Sequence, residues 1–239
     1  MNVLAIDTET HRFKPGDMAP RIVCLSWYNG QIGGLLLHDE AEKWLGIRLE
    51  RAIAGKLTIV AHYAAYDFAC VLANWAFINP WVWEAYARGA VRCTAAREKL
   101  LDIAEGKLRG ERLGDATWIK HEYTLEDIAR RRLDVADLDK GPDSWRTRYH
   151  ELDGVPLDQW PERAVRYAEL DAELCLRVHQ NQEERSQAMG YMMPTQNDEV
   201  RADLALRLAT VWGIRTDGER VRRLQDKTEA RMAELRGQS

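Results

Sequence analysis

The stretch VLAIDTE, residues 3–9, joins an aliphatic, β-branched run to two acidic residues. Apolar runs of this length that end in polar residues are typical of buried β-strands. Because alternate side chains of a strand lie on the same face, Asp7 and Glu9 are expected to leave one face of the sheet together. Two neighbouring carboxylates repel each other, and a divalent cation between them relieves the repulsion. The stretch predicts a strand with a candidate metal site at its end; the alternative is a solvated strand end.

Two later segments supply further polar groups of the same chemistry. Residues 59–67, IVAHYAAYD, are typical of a buried strand that runs directly into a helix, with Asp67 in the first helical turn, where the helix dipole alone would favour a carboxylate. Tyr167 and Asp171 are four residues apart in a long helical segment and therefore lie one turn apart on one face. Each signal is weak by itself. Their order and their strand or helix contexts are much more specific together.

The remaining chain predicts short strands and amphipathic helices in succession. Strands are predicted at residues 3–8, 21–28, 33–37 and 57–61, and helices at 40–54, 66–75, 94–106 and 124–133, the last with a Thr124-x-x-Asp127 capping box. A long helix is expected from Pro161, preceded by a loop over 134–155 with one helical turn near Trp145. Two amphipathic helices are expected within 197–235, divided by residues 213–217.

Composition excludes some classes of protein. The 34 Lys and Arg residues against 38 Asp and Glu give a net charge of −4, so a nucleic acid would not be held by bulk charge. The four cysteines, Cys24, Cys70, Cys93 and Cys175, lack metal or disulfide spacing and are expected to be reduced core thiols. No signal peptide and no long apolar run is visible. We therefore expect a cytoplasmic protein with no membrane partner.

With these motifs in view, the sequence resembles the DEDD (DnaQ-like) superfamily of 3′→5′ exonucleases, in its tyrosine subtype, DEDDy. Asp7-Thr8-Glu9 matches the first motif of that superfamily, the stretch ending in Asp67 matches the second, and Tyr167-x-x-x-Asp171 matches the third. Residues 97–106, 124–129 and 143–146 look like the proofreading exonuclease domain of phage-like family A, polymerase I-type DNA polymerases, and 210–217 is similar to the segment leading into the polymerase part. The palm and fingers have no counterpart in the sequence, so we do not expect this polypeptide to polymerise DNA by itself.

The resemblance implies a ribonuclease H-like α/β fold, with a mixed sheet of about five strands flanked by helices and the site at the end of the first strand. It also implies two domains. Residues 1–190 would form the exonuclease domain. Residues 191–239 would form a C-terminal helical hairpin that resembles the start of a family A polymerase domain.

The resemblance further implies two divalent cations, which oxygen-only ligands restrict to Mg²⁺ or Mn²⁺. Asp7 would bridge both ions, Glu9 and Asp171 would complete the site of the ion that activates water, and Asp67 would support the second ion directly or through water. Tyr167 would orient the attacking water. With an ordinary pKa of about 10 its phenol is protonated at neutral pH, so it would not be the main base unless a metal-bound water supplied most of the acidity. The product would be a nucleoside 5′-monophosphate released from a 3′ end.

Substrate contacts are implied for a further set of residues that lie within or beside the motifs, namely Thr8, Thr10, His62, Tyr63 and Tyr66. Tyr63 departs from the family pattern, which usually has Asn at this position. The resemblance implies that this Asn helps to position the terminal nucleotide, so we expect nucleotide binding to differ here.

Three functions follow from these observations. The first is a 3′→5′ DNA exonuclease that acts on single-stranded or frayed DNA 3′ ends, with proofreading in DNA replication as its role. The second is an RNA-trimming enzyme similar to RNase D, because carboxylates do not distinguish DNA from RNA and that choice depends on contacts to the 2′-OH. The third is an assembly subunit for a separate family A polymerase. Its motivation is a set of apolar C-terminal residues, which would otherwise pack on the exonuclease core or on each other: Leu204, Leu206, Leu208, Val211, Trp212 and Leu224.

Overall fold

The computed structural model of the protein describes residues 2–108, 110–112, 118–135, 144–190, 193, 195–213 and 216–237. Predictions that fall on residues 136–143, 191–192, 194 and 214–215 lie outside these described residues. The strands are β1 (Asn2–Thr10), β2 (Ile22–Tyr28), β3 (Gly33–Leu37), β4 (Leu57–Ala61), β5 (Val91–Cys93), β6 (Gly110–Arg112) and β7 (Trp118–Lys120). The α-helices are α1 (His38–Ile53), α2 (Ala64–Asn74), α3 (Asn79–Ala87), α4 (Thr94–Ala104), α5 (Leu125–Leu133), α6 (Glu162–Ala188), α7 (Gln196–Trp212) and α8 (Gly218–Arg236). Short 3₁₀ turns cover Ala76–Ile78, Trp145–Thr147, Tyr149–Leu152 and Leu157–Gln159.

Five of the strands form one mixed sheet in the order β3-β2-β1-β4-β5. The central strand, β1, is antiparallel to β2 and parallel to β4, and β4 is parallel to β5. Helices α1, α2, α3 and α7 supply the core on one face of the sheet, and α5 and α6 supply it on the other. This arrangement confirms the expected fold class, a mixed α/β sheet of about five strands flanked by helices.

The two faces of β1 determine where its polar end residues point. Leu4 and Ile6 belong to the core shared with α1 and α2, whereas Ala5 belongs to the core shared with α5 and α6. Since strand residues alternate between faces, Asp7 and Glu9 continue the face of Ala5 and point to the side of α6. Thr8 continues the opposite face and points to the side of α2. The end of β1 therefore directs polar side chains toward two helices that lie on opposite faces of the sheet.

Several elements differ from the sequence-based expectation. Helix α3 and strand β5 were not expected from the sequence, and neither was the β6–β7 hairpin; β5, β6 and β7 have three residues each, too few to show a periodic pattern. The helix expected at 66–75 begins at Ala64, directly after Tyr63. The capping box is confirmed, because the Thr124 hydroxyl accepts a hydrogen bond from the backbone N–H of Asp127 at 3.1 Å.

The two C-terminal helices differ in their packing. In α7, Val200, Leu204 and Leu208 are buried in the same core as α2. Leu206 and Trp212 are 69% and 76% exposed, and no described residue of α8 is buried. The apolar C-terminal residues therefore divide between the core and the surface. The division at residue 190 stays a prediction.

All four cysteines are buried and free, which confirms them as core thiols. Burial raises the pKa of Cys70 to about 12, so this thiol is inert at neutral pH. Within the described residues, no helix combines the length and the apolar character that crossing a membrane requires.

A buried ion network joins α4, α5 and α6. Glu98 is fully buried and accepts hydrogen bonds from Arg132 Nε at 2.7 Å and Arg185 Nη1 at 2.9 Å. Asp102 is also fully buried and accepts from Arg132 Nη2 at 2.8 Å and from the Tyr123 hydroxyl at 3.0 Å. The network holds α6 against the two shorter helices.

The same network accounts for two members of the basic run Arg130-Arg131-Arg132 in the last turn of α5. Arg131 and Arg132 turn inward to the carboxylates of α4, with side chains that are only 15% and 18% exposed. Arg130 is exposed and pairs with Glu126. The inward pair thus stabilises the helix packing.

A second cluster, between α4 and α6, contains a buried histidine. His179 lies within 3.3 Å of Arg97 Nη1, and Arg97 also pairs with Glu183. Burial, with the positive charges of Arg97 and Arg92, lowers the pKa of His179 from 6.5 to about 4, although Glu183 acts in the opposite direction. His179 is therefore neutral in the folded protein at neutral pH.

We expect the free energy of unfolding to fall as the pH is lowered through the interval between these two pKa values. The unfolded chain takes up a proton on His179 near 6.5, whereas the folded chain takes it up only near 4. The resulting loss should be about 3 kcal/mol, and it should be absent from His179→Gln. Urea unfolding of both proteins across this pH range measures it. The prediction would be contradicted if the free energy of unfolding fell equally with decreasing pH in wild type and in His179→Gln.

Candidate active site

Three carboxylates meet at the end of β1. Asp7 and Glu9 come from the strand and Asp171 comes from α6, and one carboxylate oxygen from each lies within 4.8 Å of the others. Ligand oxygens around one hard divalent cation stand about 2.0–2.6 Å from the ion, so oxygens at this spacing can share it. The donor set is oxygen only, which suits Mg²⁺ or Mn²⁺ better than zinc. The geometry fits a divalent metal centre.

Asp67 stands beside this cluster and not within it. It comes from the first turn of α2, on the opposite face of the sheet, and it is only 2% exposed. Its Oδ1 atom accepts hydrogen bonds from the Thr8 hydroxyl at 2.6 Å and from the Thr8 backbone N–H at 3.1 Å. Burial raises the pKa of Asp67 to about 7, although the bonds from Thr8 act in the opposite direction. Of the four predicted ligands, the structure therefore brings three together and holds Asp67 next to them through Thr8.

Tyr167 lies one turn before Asp171 on α6 and is 7% exposed. Its ring packs against Tyr149, with the ring centroids 6.2 Å apart. Burial, and then the negative charge of Asp171, raises the pKa of the Tyr167 phenol well above its ordinary value. The phenol therefore stays protonated at neutral pH, where it can orient a water but does not act as a base.

All the predicted site residues line one cleft of about 1050 Å³. Across it, the Thr10 and Tyr66 hydroxyls are 2.6 Å apart, and the Arg207 guanidinium lies 4.8 Å from the centroid of the Tyr66 ring. His62 is held by Thr94 Oγ1 at 2.8 Å and by the backbone oxygen of Tyr123 at 3.0 Å. Tyr63 is 42% exposed at the edge of the same cleft.

Sequence reasoning missed several residues of the cleft. One wall is formed by Asp203, Leu206, Arg207 and Thr210 of α7, a helix that the sequence pattern places outside the exonuclease domain. Arg12, Lys99 and Arg146 also line the cleft. Arg12 lies three residues after Glu9, the last residue of the first motif, and this proximity is a signal that the sequence contains. The pattern of α7 contains no comparable signal, because only the folded chain shows which helix it contacts.

The charge lining the cleft is negative. Among its described lining residues are seven carboxyl groups and four Lys or Arg side chains. A polyanion would be repelled by this balance if every carboxyl were ionised. Two divalent cations would reverse its sign, since they add four positive charges.

No family model matches the sequence, and no curated protein matches it. Solved structures match the fold. Escherichia coli RNase D, an exoribonuclease involved in structured RNA processing, has a TM-score of 0.55 and 15% identity over 87% of this chain, which spans only 45% of RNase D. Brucella melitensis NrnC with bound Mg²⁺ has a TM-score of 0.56 and 17% identity over 87% of this chain and 86% of NrnC. NrnC bound to pGG gives the same score and identity over 87% and 85% of the two chains. These similarities establish the ribonuclease H-like fold that is shared with these nucleases.

Proposed function

We propose that the protein is a metal-dependent 3′→5′ exonuclease of the DEDD superfamily, tyrosine subtype, that releases nucleoside 5′-monophosphates. The observation that carries the proposal is the meeting of Asp7, Glu9 and Asp171 beside Tyr167 in one cleft. Asp7 and Glu9 belong to β1, whereas Tyr167 and Asp171 belong to α6, far later in the chain. Three carboxylates at this spacing repel one another, and a divalent cation between them relieves that repulsion. Structural similarity to RNase D and NrnC supports the proposal.

Each of these residues has a separate role in the proposed reaction. Asp7, Glu9 and Asp171, together with the neighbouring Asp67, would hold two divalent cations. When bound, such ions supply acidity for an attacking water and stabilise charge on the phosphoryl group and the departing 3′ oxygen. Thr8 fixes the Asp67 carboxylate, and the protonated Tyr167 phenol orients the water by a hydrogen bond. Thr10, His62 and Tyr66 line the side where the terminal nucleotide would lie.

The direct test uses a 5′-labelled single-stranded DNA with Mg²⁺, with Mn²⁺ or with a chelator. We expect stepwise shortening from the 3′ end with either metal, release of 5′-monophosphates, and no reaction with the chelator. Degradation that proceeds without metal, or from the 5′ end, would contradict the proposal.

Tyr167→Phe is expected to lower kcat by about 10–100-fold, because one hydrogen bond to the attacking water is lost. KM and Mg²⁺ affinity should change little, since the carboxylates remain. Tyr28→Phe on β2, outside the cleft, is the matched control and should retain full kcat. Single-turnover kinetics with a labelled DNA strand measure both variants. Equal kcat in Tyr167→Phe and wild type would remove this role for the phenol.

The choice between DNA and RNA rests on two different observations. Residues 97–106 and 124–129 resemble polymerase-associated proofreading domains, which favours DNA. The fold is shared with RNase D, which favours RNA. Competition between DNA and RNA strands of the same sequence distinguishes them, because only contacts to the 2′-OH separate the two substrates. We take DNA 3′ ends as the substrate and RNA trimming as the alternative.

A proofreading role with a separate family A polymerase is a further proposal. The exposed Leu206, Trp212 and Leu224 of α7 and α8 would be available to such a partner. Gel filtration of the protein mixed with a purified family A polymerase tests it. Elution of the two proteins at their separate volumes would count against this assembly.

A further inference from the structure

Tyr63 occupies an unusual backbone position at the entrance of α2. Its φ and ψ are 54° and 43°, in the left-handed region, and its backbone oxygen accepts a hydrogen bond from Tyr66 N–H at 2.7 Å. A residue with a Cβ atom is strained in this region, whereas glycine adopts it freely. Tyr63 is therefore in a strained backbone conformation that a glycine at this position would avoid. Such strain is often found at functional positions.

The ring of Tyr63 is held in place without being buried. It meets the His62 ring edge-on, with centroids 4.7 Å apart and planes at 72°, and His62 is itself anchored by Thr94 and Tyr123. The side chain nevertheless remains 42% exposed and lines the cleft that contains the carboxylate cluster. A partly exposed aromatic ring, packed on one side against His62, therefore lines the proposed substrate cleft.

A cation lies beside this ring. Lys99 Nζ is 5.9 Å from the centroid of the Tyr63 ring and 5.6 Å from that of Tyr123. Within the described residues, the contacts of the Lys99 ammonium are with these two rings and with no carboxylate, although the cleft contains an excess of acidic groups. The ammonium is thus available to an anion that enters from the cleft.

We propose that Tyr63 and Lys99 form a subsite for single-stranded DNA, in which Tyr63 stacks on one unpaired base and Lys99 contacts a neighbouring phosphate. Aromatic stacking and backbone cations are the two means by which proteins hold single strands without reading their sequence. A paired base cannot stack in this way, so the subsite selects single-stranded or frayed ends. The inference rests on the proposed exonuclease function and adds to it a means of substrate selection.

The test measures binding separately from hydrolysis. Short single strands with phosphorothioate linkages and a 5′ fluorophore are titrated with the protein in Ca²⁺, and Kd is read from fluorescence anisotropy. Tyr63→Gly should raise Kd about tenfold, and Tyr63→Phe, which keeps the ring, should stay within about twofold of wild type. The Tm of Tyr63→Gly should be unchanged or higher, because glycine relieves the left-handed strain. A purely structural role would instead lower Tm.

A series of strands with one abasic position locates the stacked base. At the position of the stacked base, removal of the base should lower the affinity of wild type about tenfold and should not lower the affinity of Tyr63→Gly any further. At other positions, the loss caused by the abasic site and the loss caused by the substitution should multiply. Lys99→Ala should lower the slope of log affinity against log salt by about 0.7, whereas the exposed Lys120→Ala should leave the slope unchanged.

Equal Kd values of wild type and Tyr63→Gly for the intact strand would overturn the subsite. A ratio of these two Kd values that is the same at every abasic position would also overturn it. Failure of the proposed function looks different, since wild type would then neither bind the intact strand nor degrade an ordinary one.

Discussion

Asp7→Asn is expected to abolish metal-dependent release of nucleotides from a 3′ end, with residual kcat at least about 1,000-fold below wild type. The substitution keeps the shape of the side chain and removes its charge at the centre of the acidic cluster. The remaining Glu9 and Asp171 would hold a cation less tightly and in a different position. A quenched-flow or gel assay with labelled DNA, at saturating Mg²⁺ and Mn²⁺, measures the loss.

Thermal unfolding separates this loss of chemistry from loss of fold. Without metal, Asp7→Asn should unfold at the same temperature as wild type or slightly higher, because one member of a repelling acidic group is neutralised. Addition of Mg²⁺ should raise Tm for wild type and much less for the variant, since a ligand that binds only the folded state stabilises it. The exposed Asp158→Asn, outside the cleft, should match wild type in activity and in the metal-dependent shift. Chelator-resistant activity in Asp7→Asn would refute the metal mechanism.

The parts of the site that sequence could predict are those set by local periodicity. Alternation along β1 places Asp7 and Glu9 on one face, and the spacing of four residues in α6 places Tyr167 and Asp171 on one face. That the two faces meet was expected from the family resemblance alone. Periodicity contains no information about which helix lies across from which strand.

The parts that could not be predicted depend on tertiary contacts. Asp67 bonds to Thr8 because α2 lies on the opposite side of the sheet from α6, a fact that no local pattern contains. Arg207 reaches the cleft because α7 packs on α2, although its helix looks like part of an extension in sequence. The three residues of β5 are too few to predict a strand. Sequence reasoning thus found the carboxylates of the proposed active site more readily than the walls of the cleft around them.

The largest effect on stability is expected from Glu98→Ala, at about 3–5 kcal/mol. Glu98 is fully buried and accepts hydrogen bonds from Arg132, Arg185 and Gln182. Burial alone would raise the pKa of Glu98, but Arg185 and Arg132 hold it below its ordinary value. Removing the carboxylate would leave two partly buried guanidinium groups without their partner. That penalty is larger than the gain that the intact pair contributes.

A matched surface pair distinguishes this effect from the loss of any ion pair. Glu126 pairs with the exposed Arg130 on α5, and Glu126→Ala should cost at most about 1 kcal/mol. Urea unfolding at neutral pH measures both variants against wild type. If Glu98→Ala were no more destabilising than Glu126→Ala, the network would not be what holds α4 and α5 to α6.

The pH dependence gives the same prediction a second, independent measurement. Because the folded pKa of Glu98 lies below 4.5, its contribution is fully present at neutral pH and is lost as the pH falls through the folded value. The difference between wild type and Glu98→Ala should therefore shrink in acid, whereas a defect of shape or packing would persist there. Helix α6 carries both Tyr167 and Asp171, so Glu98→Ala should also lose activity at a lower temperature than wild type. The network thus supports the position of the two cleft residues that α6 carries.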